Sequence, residues 1–238
     1  MTMTDDELAT HLATEAGRIL LALRDAGTLG SNDLGKAGDA QANAYLMRAI
    51  RDARPDDGLL SEESVCDGSR LSKSRVWIID PVDGTREYGE GRTDWAVHVA
   101  LAIDGVATVG AVALPGLDLV LSSATPIAAA SGNKPPVLVV SRTRPAPEAV
   151  AVASALNGIL LPMGSAGAKA MAVVRGEADI YLHTGGQYEW DSCAPVAVAT
   201  AHGLHCSRAD GSPLVYNRAD SYMPDLLICR PEWAERVL

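Results

Sequence analysis

Between Trp77 and Tyr88 the chain reads Trp-Ile-Ile-Asp-Pro-Val-Asp-Gly-Thr-Arg-Glu-Tyr. No other stretch restricts the fold as tightly. Its apolar start predicts a buried strand. The run stops at Asp80, and Pro81 and Asp83 follow. Two carboxylates at i and i+3, across a turn that proline fixes, can converge on one point. Gly84 lets the backbone approach a ligand closely. The amides of Gly84 and Thr85 would then open a helix, where an anion such as phosphate is stabilised. Acids that hold hard cations, beside amides that hold an anion, are the components of metal-assisted phosphate chemistry.

Such a strand must be covered on both faces, and 238 residues suffice for one large domain or two small ones. Thr4 is placed to cap a first helix, whose Leu8, Leu12, Ala16, Leu20 and Leu23 recur at helical spacing. The glycines from Gly27 to Gly35 predict a loop, closed by Lys36 to Asp39, with Asp39 capping a second helix. Leu59-Leu60 predicts a short strand. Asp104-Gly105 joins two apolar runs, Trp95 to Ile103 and Val106 to Leu114, which is a strong hairpin signal. An antiparallel sheet in the first half follows.

Thr125 to Pro136, rich in Ala, Gly and Pro, divides residues 1–124 from 125–238. Beyond it, strand and helix alternate, with helices predicted at Pro147 to Leu156, Ala166 to Val174 and Asp191 to Ala201. That alternation favours an α/β layer.

The formal net charge of -10 argues against nucleic-acid polymers and anionic membranes as partners. A small phosphorylated substrate stays compatible if bound cations reverse the local potential. No apolar run is long enough to span a membrane, and no basic segment precedes an apolar one at the N-terminus. Cys66, Cys193, Cys206 and Cys229 form no C-x-x-C pair. They read as reduced thiols of a cytoplasmic protein.

Glu62-Glu63 follows the Leu59-Leu60 strand. Alone, the pair is a solvated acidic turn. Gathered with Asp80 and Asp83 it would be costly unless a cation or proton joined it. Asp191 opens a late apolar helix, where it can act as N-cap and still offer a lone pair. His98 lies between Val97 and Val99 and reads as a satisfied sheet residue. Arg142 and Arg144 follow a strand, where they can reach an anion or simply be solvated. Tyr188 and Glu189 precede Trp190-Asp191 and could border a ribose or base.

Ser61-Glu62-Glu63-Ser64, Trp77 to Thr85, and Trp190-Asp191 to Pro195 occur in this order at wide separations. Together they resemble the signature regions of the lithium-sensitive, magnesium-dependent inositol monophosphatase superfamily. The resemblance runs from about Lys36 to the last strand. It implies an α/β (α+β) fold, a layered α/β/α/β/α sandwich, with two or three Mg2+ ions that Mn2+ could replace. It implies Glu62, Asp80 and the Val82 carbonyl as ligands of one ion, and Asp80, Asp83 and Asp191 as ligands of a second. Amides of Gly84 and Thr85 would cradle phosphate. The catalytic roles fall to Glu62, Asp83 and Thr85, with Glu62 and Thr85 orienting or deprotonating the nucleophilic water. A homodimer is also implied.

Within the superfamily, Arg86-Glu87-Tyr88, Gly167-Ala168-Lys169 and Trp-Asp-Ser-Cys-Ala-Pro are similar to the bisphosphate nucleotidase branch. That resemblance implies 3'-phosphoadenosine 5'-phosphate as substrate and a place beside sulfate assimilation. Inositol 1-phosphate and fructose 1,6-bisphosphate are the alternative substrates, and a non-catalytic metal or nucleotide sensor is a third reading. On the nucleotide reading Arg86, Ser165 and Lys169 line the substrate pocket, where Lys169 would meet the second phosphate as a point charge. One departure concerns the loop before the second helix, which is short and lacks the family's Pro-Val-Thr. Asp39 matches the acid that opens that helix, and would either touch a third metal or cap the helix.

Overall fold

The computed structural model describes residues 3–65, 68–127, 132 and 134–238. Cys66 and part of the expected boundary between the halves lie outside the described residues. The first half contains α1 (Asp5–Asp25), α2 (Ser31–Ala53), β1 (Gly58–Ser61), β2 (Arg75–Asp83), α3 (Thr85–Gly89), β3 (Ala96–Ile103), β4 (Val106–Leu114) and β5 (Leu119–Ser122). The second contains β6 (Val137–Ser141), α4 (Pro147–Leu156), β7 (Ile159–Met163), α5 (Ala166–Val174), β8 (Ile180–His183), β9 (Gln187–Tyr188) and α6 (Glu189–Ala201). It ends with β10 (His205–Ser207), β11 (Tyr222–Met223), β12 (Leu226–Cys229) and α7 (Pro231–Val237).

The first sheet has the order β1-β2-β3-β4-β5. It is antiparallel except at its edge, where β1 runs parallel to β2. The connection between those two strands is long enough for the crossover a parallel pair requires. The expected hairpin forms at Asp104 and Gly105, both with positive φ. The second sheet, β10-β12-β8-β6-β7, is mixed, with β6 parallel to both β7 and β8.

Alternation along β2 builds the layers. Trp77 and Ile79 face the core formed with α1 and α2. Val76 and Ile78 face the opposite core, which α5 and α6 fill between the two sheets. A third core lies beyond the second sheet, under α4 and α7. Helix, sheet, helix, sheet, helix is the layered sandwich expected. Because α5 and α6 also pack on the first sheet, the halves share the central core.

Two expectations about helix starts are corrected. Helix α2 begins at Ser31, with Gly30 at its cap, so Asp39 lies within the helix and does not cap it. Gly35 and Gly38 belong to α2 because a Cβ there would come within 2.8 Å of the Thr85 methyl and 2.7 Å of the Tyr88 ring. They allow close packing of α2 on α3. Helix α6 begins at Glu189, so Asp191 stands in its first turn, and its carboxylate reaches back to the Tyr188 amide at 2.7 Å.

Candidate active site

In a regular strand, residues i and i+3 point to opposite faces. Asp80 pairs with His98 and Asp83 with Ala96, so β2 uses three steps where β3 uses two. The extra residue is a β-bulge at Pro81-Val82, a position suited to proline because it lacks a ladder donor. The bulge puts both carboxylates on the face toward α5 and α6. The strand continues through Asp83, where a turn was expected. Gly84 then adopts φ 88°, which a glycine tolerates without strain, and starts the single turn of α3.

Asp80, Asp83 and Asp191 each present a carboxylate oxygen, all within 4.8 Å of one another. Glu62 joins them through a side-chain hydrogen bond with Asp80. Its loop is fixed from α2: Ser61 Oγ donates to Asn43 Oδ1 at 2.8 Å, and Asn43 Nδ2 donates to Ser64 Oγ at 3.1 Å. Asn43 is a positioning residue that sequence reasoning missed.

The acids raise one another's proton affinity. Burial, then the charges of Glu62, Asp83 and Asp191, push Asp80 well above the usual carboxylate range. Glu62 is exposed as a residue, but its carboxyl faces the cluster. Desolvation there and the Asp191 charge raise it to about 7. Desolvation and the Asp83 charge take Asp191 to about 6. Such a set, all hard oxygen donors, fits a divalent cation.

Asp83 is the exception. Burial raises it, but the His98 charge and a dense set of donors hold it well below the usual range. Its Oδ2 accepts Ser165 Oγ at 2.7 Å and the Gly167 amide at 2.6 Å. Among the described residues its Oδ1 accepts only the Ala166 amide, at 3.0 Å, which leaves a lone pair for a cation. Asp83 thus receives the first amides of α5, a favourable place for an anion.

His98 is fully buried opposite Asp80. Its Nδ1 lies 2.9 Å from the Trp190 carbonyl, so Nδ1 donates, and its Nε2 lies 3.1 Å from Asp83 Oδ2. A neutral Nε2 would turn a lone pair on a carboxylate. The carboxylate beside Nε2 favours the doubly protonated ring, and its pKa is raised, burial opposing and Asp83 favouring the charge. More than a satisfied sheet residue, it ties Asp83 to the residue before Asp191. A buried histidine in phase with Ala96 and Ala100, on the inner face of β3, was the available signal.

Thr85 Oγ1 lies 3.1 Å from the Val82 carbonyl and 3.4 Å from Asp39 Oδ1. Asp39 therefore reaches the site from within α2. Burial and the Glu63 charge raise it to about 7. Ser165 holds a strained φ of 27°. Lys169 is buried, and its ammonium donates to the carbonyls of Gly164 and Ser165, which fixes the turn that presents Ser165 to Asp83. Arg86 is exposed and pairs with Glu90, and Arg142 pairs with Glu87 and Glu90. Glu189 does not border the site. It is fully buried and accepts the amides of Asn217 and Arg218, both at 2.8 Å.

A cavity of about 640 Å³ opens over this cluster, with Glu62, Asp83, Asp191, Arg86, Arg144, Ser165 and Lys169 in its wall. Among the described residues no helix is long and apolar enough to cross a membrane.

A pH dependence follows. Without metal, the folded chain keeps protons on Glu62, Asp39 and Asp191 up to pH 6–7, whereas an unfolded chain loses them near 4. Those groups stabilise the metal-free fold at low pH, and the contribution fades as pH rises through that window. A cation must displace the same protons. The rise in Tm produced by magnesium chloride will therefore be larger at pH 8 than at pH 6. Equal rises at the two pH values would place metal binding elsewhere.

A sequence profile of the inositol monophosphatase family matches residues 4–156 and 137–237. Over a 251-residue alignment the chain is 48% identical to a protein of Mycobacterium leprae (strain TN) named 3'-phosphoadenosine 5'-phosphate phosphatase, covering 99% of this chain and 93% of that one. It is 28% identical over 199 residues to the 3'(2'),5'-bisphosphate nucleotidase CysQ of Shigella flexneri, covering 79% and 81%. The fold is shared with the inositol monophosphatase of Anabaena (Nostoc) sp. PCC 7120, with a TM-score of 0.80 at 24% identity, covering 98% and 92% of the two chains. CysQ from Bacteroides thetaiotaomicron superposes with a TM-score of 0.79 at 23% identity, covering 94% and 96%. With nearly all of its length matched by the profile, the chain belongs to the inositol monophosphatase family, whose members are metal-dependent phosphatases.

Proposed function

We propose that this protein is a magnesium-dependent phosphomonoesterase that removes the 3'-phosphate of 3'-phosphoadenosine 5'-phosphate, giving AMP and inorganic phosphate. The 48% identity over 99% of the chain to the Mycobacterium leprae phosphatase carries the reading. The cavity supports it. A bisphosphate needs a cation apart from the metal cluster, and Arg144 and Lys169 stand in the same wall as the acids. Among the described residues the Arg144 guanidinium meets no carboxylate, whereas Arg142 is tied to Glu87 and Glu90. Burial and the charges of Lys169 and Arg144 lower the pKa of His183, so cationic charge collects on this side.

Glu62, Asp80 and the Val82 carbonyl would hold one ion, Asp80, Asp83 and Asp191 a second, and Asp39 would touch a third. Magnesium suits an all-oxygen set that shares phosphate oxygens, and manganese can replace it. When bound, the ions neutralise phosphoryl charge and acidify water. Glu62 accepts a proton from the attacking water, and Thr85, held between Val82 and Asp39, orients it. Amides of Gly84 and Thr85 bind phosphate at the first turn of α3, where helix donors lack intrahelical partners. On this reading the protein is a cytoplasmic homodimer beside sulfate assimilation.

The test compares kcat/KM for 3'-phosphoadenosine 5'-phosphate, inositol 1-phosphate and fructose 1,6-bisphosphate with magnesium. The nucleotide will lead by at least about tenfold, a difference of about 1.4 kcal/mol in transition-state binding. EDTA will abolish phosphate release, and lithium will inhibit it. A lead for either other substrate would refute the nucleotide assignment, and activity in EDTA would refute the metal assignment.

A further inference from the structure

Tyr188 and Trp190 stack with ring centroids 4.8 Å apart and planes 12° from parallel. Most aromatic rings here are explained by a core, as with Trp77, Tyr88 and Trp95, which are fully buried. Tyr188 is not: it is 46% exposed, and both it and Trp190 line the cavity that holds Asp83 and Asp191.

The pair is nevertheless fixed. The Tyr188 amide donates to Asp191 Oδ2 at 2.7 Å, and Tyr188 pairs with Tyr222 in the small β9–β11 sheet. Tyr222 meets the Tyr188 ring edge-on, at 6.0 Å and 79°. The Trp190 carbonyl is held by His98. A partly wet aromatic ring, immobilised by backbone bonds beside the carboxylate cluster, is built to receive a flat apolar face.

We infer that the Tyr188–Trp190 pair is the stacking platform for the substrate's base, and that it sets the preference for nucleotides over base-free phosphate esters. The inference rests on the proposed nucleotide activity and adds the residues that recognise the base. Stacking is tolerant, because every base has a π-face. The platform therefore selects for the presence of a base more than for adenine, and replacing adenine by another purine changes KM little.

The experiment measures kcat/KM for 3'-phosphoadenosine 5'-phosphate and for 2-glycerophosphate in the wild type, Tyr188→Ala and Tyr188→Phe. In Tyr188→Ala the ratio of the two will fall by roughly 5- to 100-fold, the range expected for loss of one base–aromatic stack. The fall will appear in KM for the nucleotide more than in kcat. Tyr188→Phe keeps the ring and will restore the ratio to within about threefold of wild type. A Tyr188→Ala variant that loses activity equally on both substrates, or one that keeps the wild-type ratio, overturns the inference alone. A wild type with no preference for the nucleotide overturns the activity and the inference together.

Discussion

Asp80→Asn will leave the metal-free protein at least as stable as the wild type while lowering kcat by about a thousandfold or more. Asp80 is 1% exposed, and burial and three neighbouring acids oppose its ionisation. Its Oδ1 accepts the Val82 amide at 3.1 Å, a bond that asparagine keeps. The new amide N–H group can donate to Glu62, where two carboxylates now compete for one proton. The substitution thus removes electrostatic repulsion together with the ligand that both ions would share. Asp83→Asn will behave differently, though it too will abolish turnover. Asp83 accepts donors from Ser165, Ala166 and Gly167 and faces the His98 ring. An amide there turns a donor on a donor, at a cost of about 1–3 kcal/mol. Denaturant unfolding in EDTA checks the contrast. Near-normal turnover in Asp80→Asn with excess magnesium would refute its place at the centre of the cluster, and an equal loss of stability in both variants would refute the different roles.

That contrast was hidden in the sequence, where the two acids look alike. The strand, the Pro81 interruption, the Asp104-Gly105 hairpin and the helices at 147–156 and 166–174 were legible, because each rests on local periodicity or turn chemistry. What was not legible depends on contacts between distant segments. Gly35 and Gly38 read as loop by propensity. The structure uses the missing side chains to seat α2 on Thr85 and Tyr88, and tertiary packing outweighs a cost of about 1 kcal/mol per glycine. Asp39 moved from cap to helix interior for that reason. Asp80 and Asp83 were named from their spacing, and Glu62 and Asp191 joined them through a resemblance; the convergence of the first two requires a bulge that spacing alone does not specify. His98 could not be assigned because its partners lie on β2 and α6, and only the fold brings both to one imidazole.

The same imidazole makes Gly167→Ala the most damaging small substitution in the site. Gly167 lies in α5, where helix propensity alone predicts a gain of up to about 1 kcal/mol from alanine. Sterics reverse the sign. A Cβ at Gly167 would lie 2.1 Å from His98 Nε2, 3.0 Å from the Ala96 Cβ and 3.1 Å from Asp83 Oδ2. His98 cannot swing away, since it is fully buried and its Nδ1 donates to the Trp190 carbonyl. Nor can α5 withdraw, because its Ala166 and Gly167 amides are bound to Asp83. The methyl must therefore break the His98–Asp83 contact or lift the start of α5 from the carboxylate. Overpacking at a site with no room to yield costs about 3 kcal/mol or more. The damage will reach catalysis as well, because Asp83 and the Trp190-Asp191 turn are both held through His98. Gly167→Ala will lower the denaturation midpoint and raise the magnesium concentration needed for half-maximal activity. In Gly167→Ala/His98→Ala the clash is relieved, and stability will recover relative to Gly167→Ala while the magnesium requirement stays high. A double variant no more stable than Gly167→Ala would show that the methyl's obstacle is the backbone of β3 and α5, and not the imidazole that links the two acid-bearing segments.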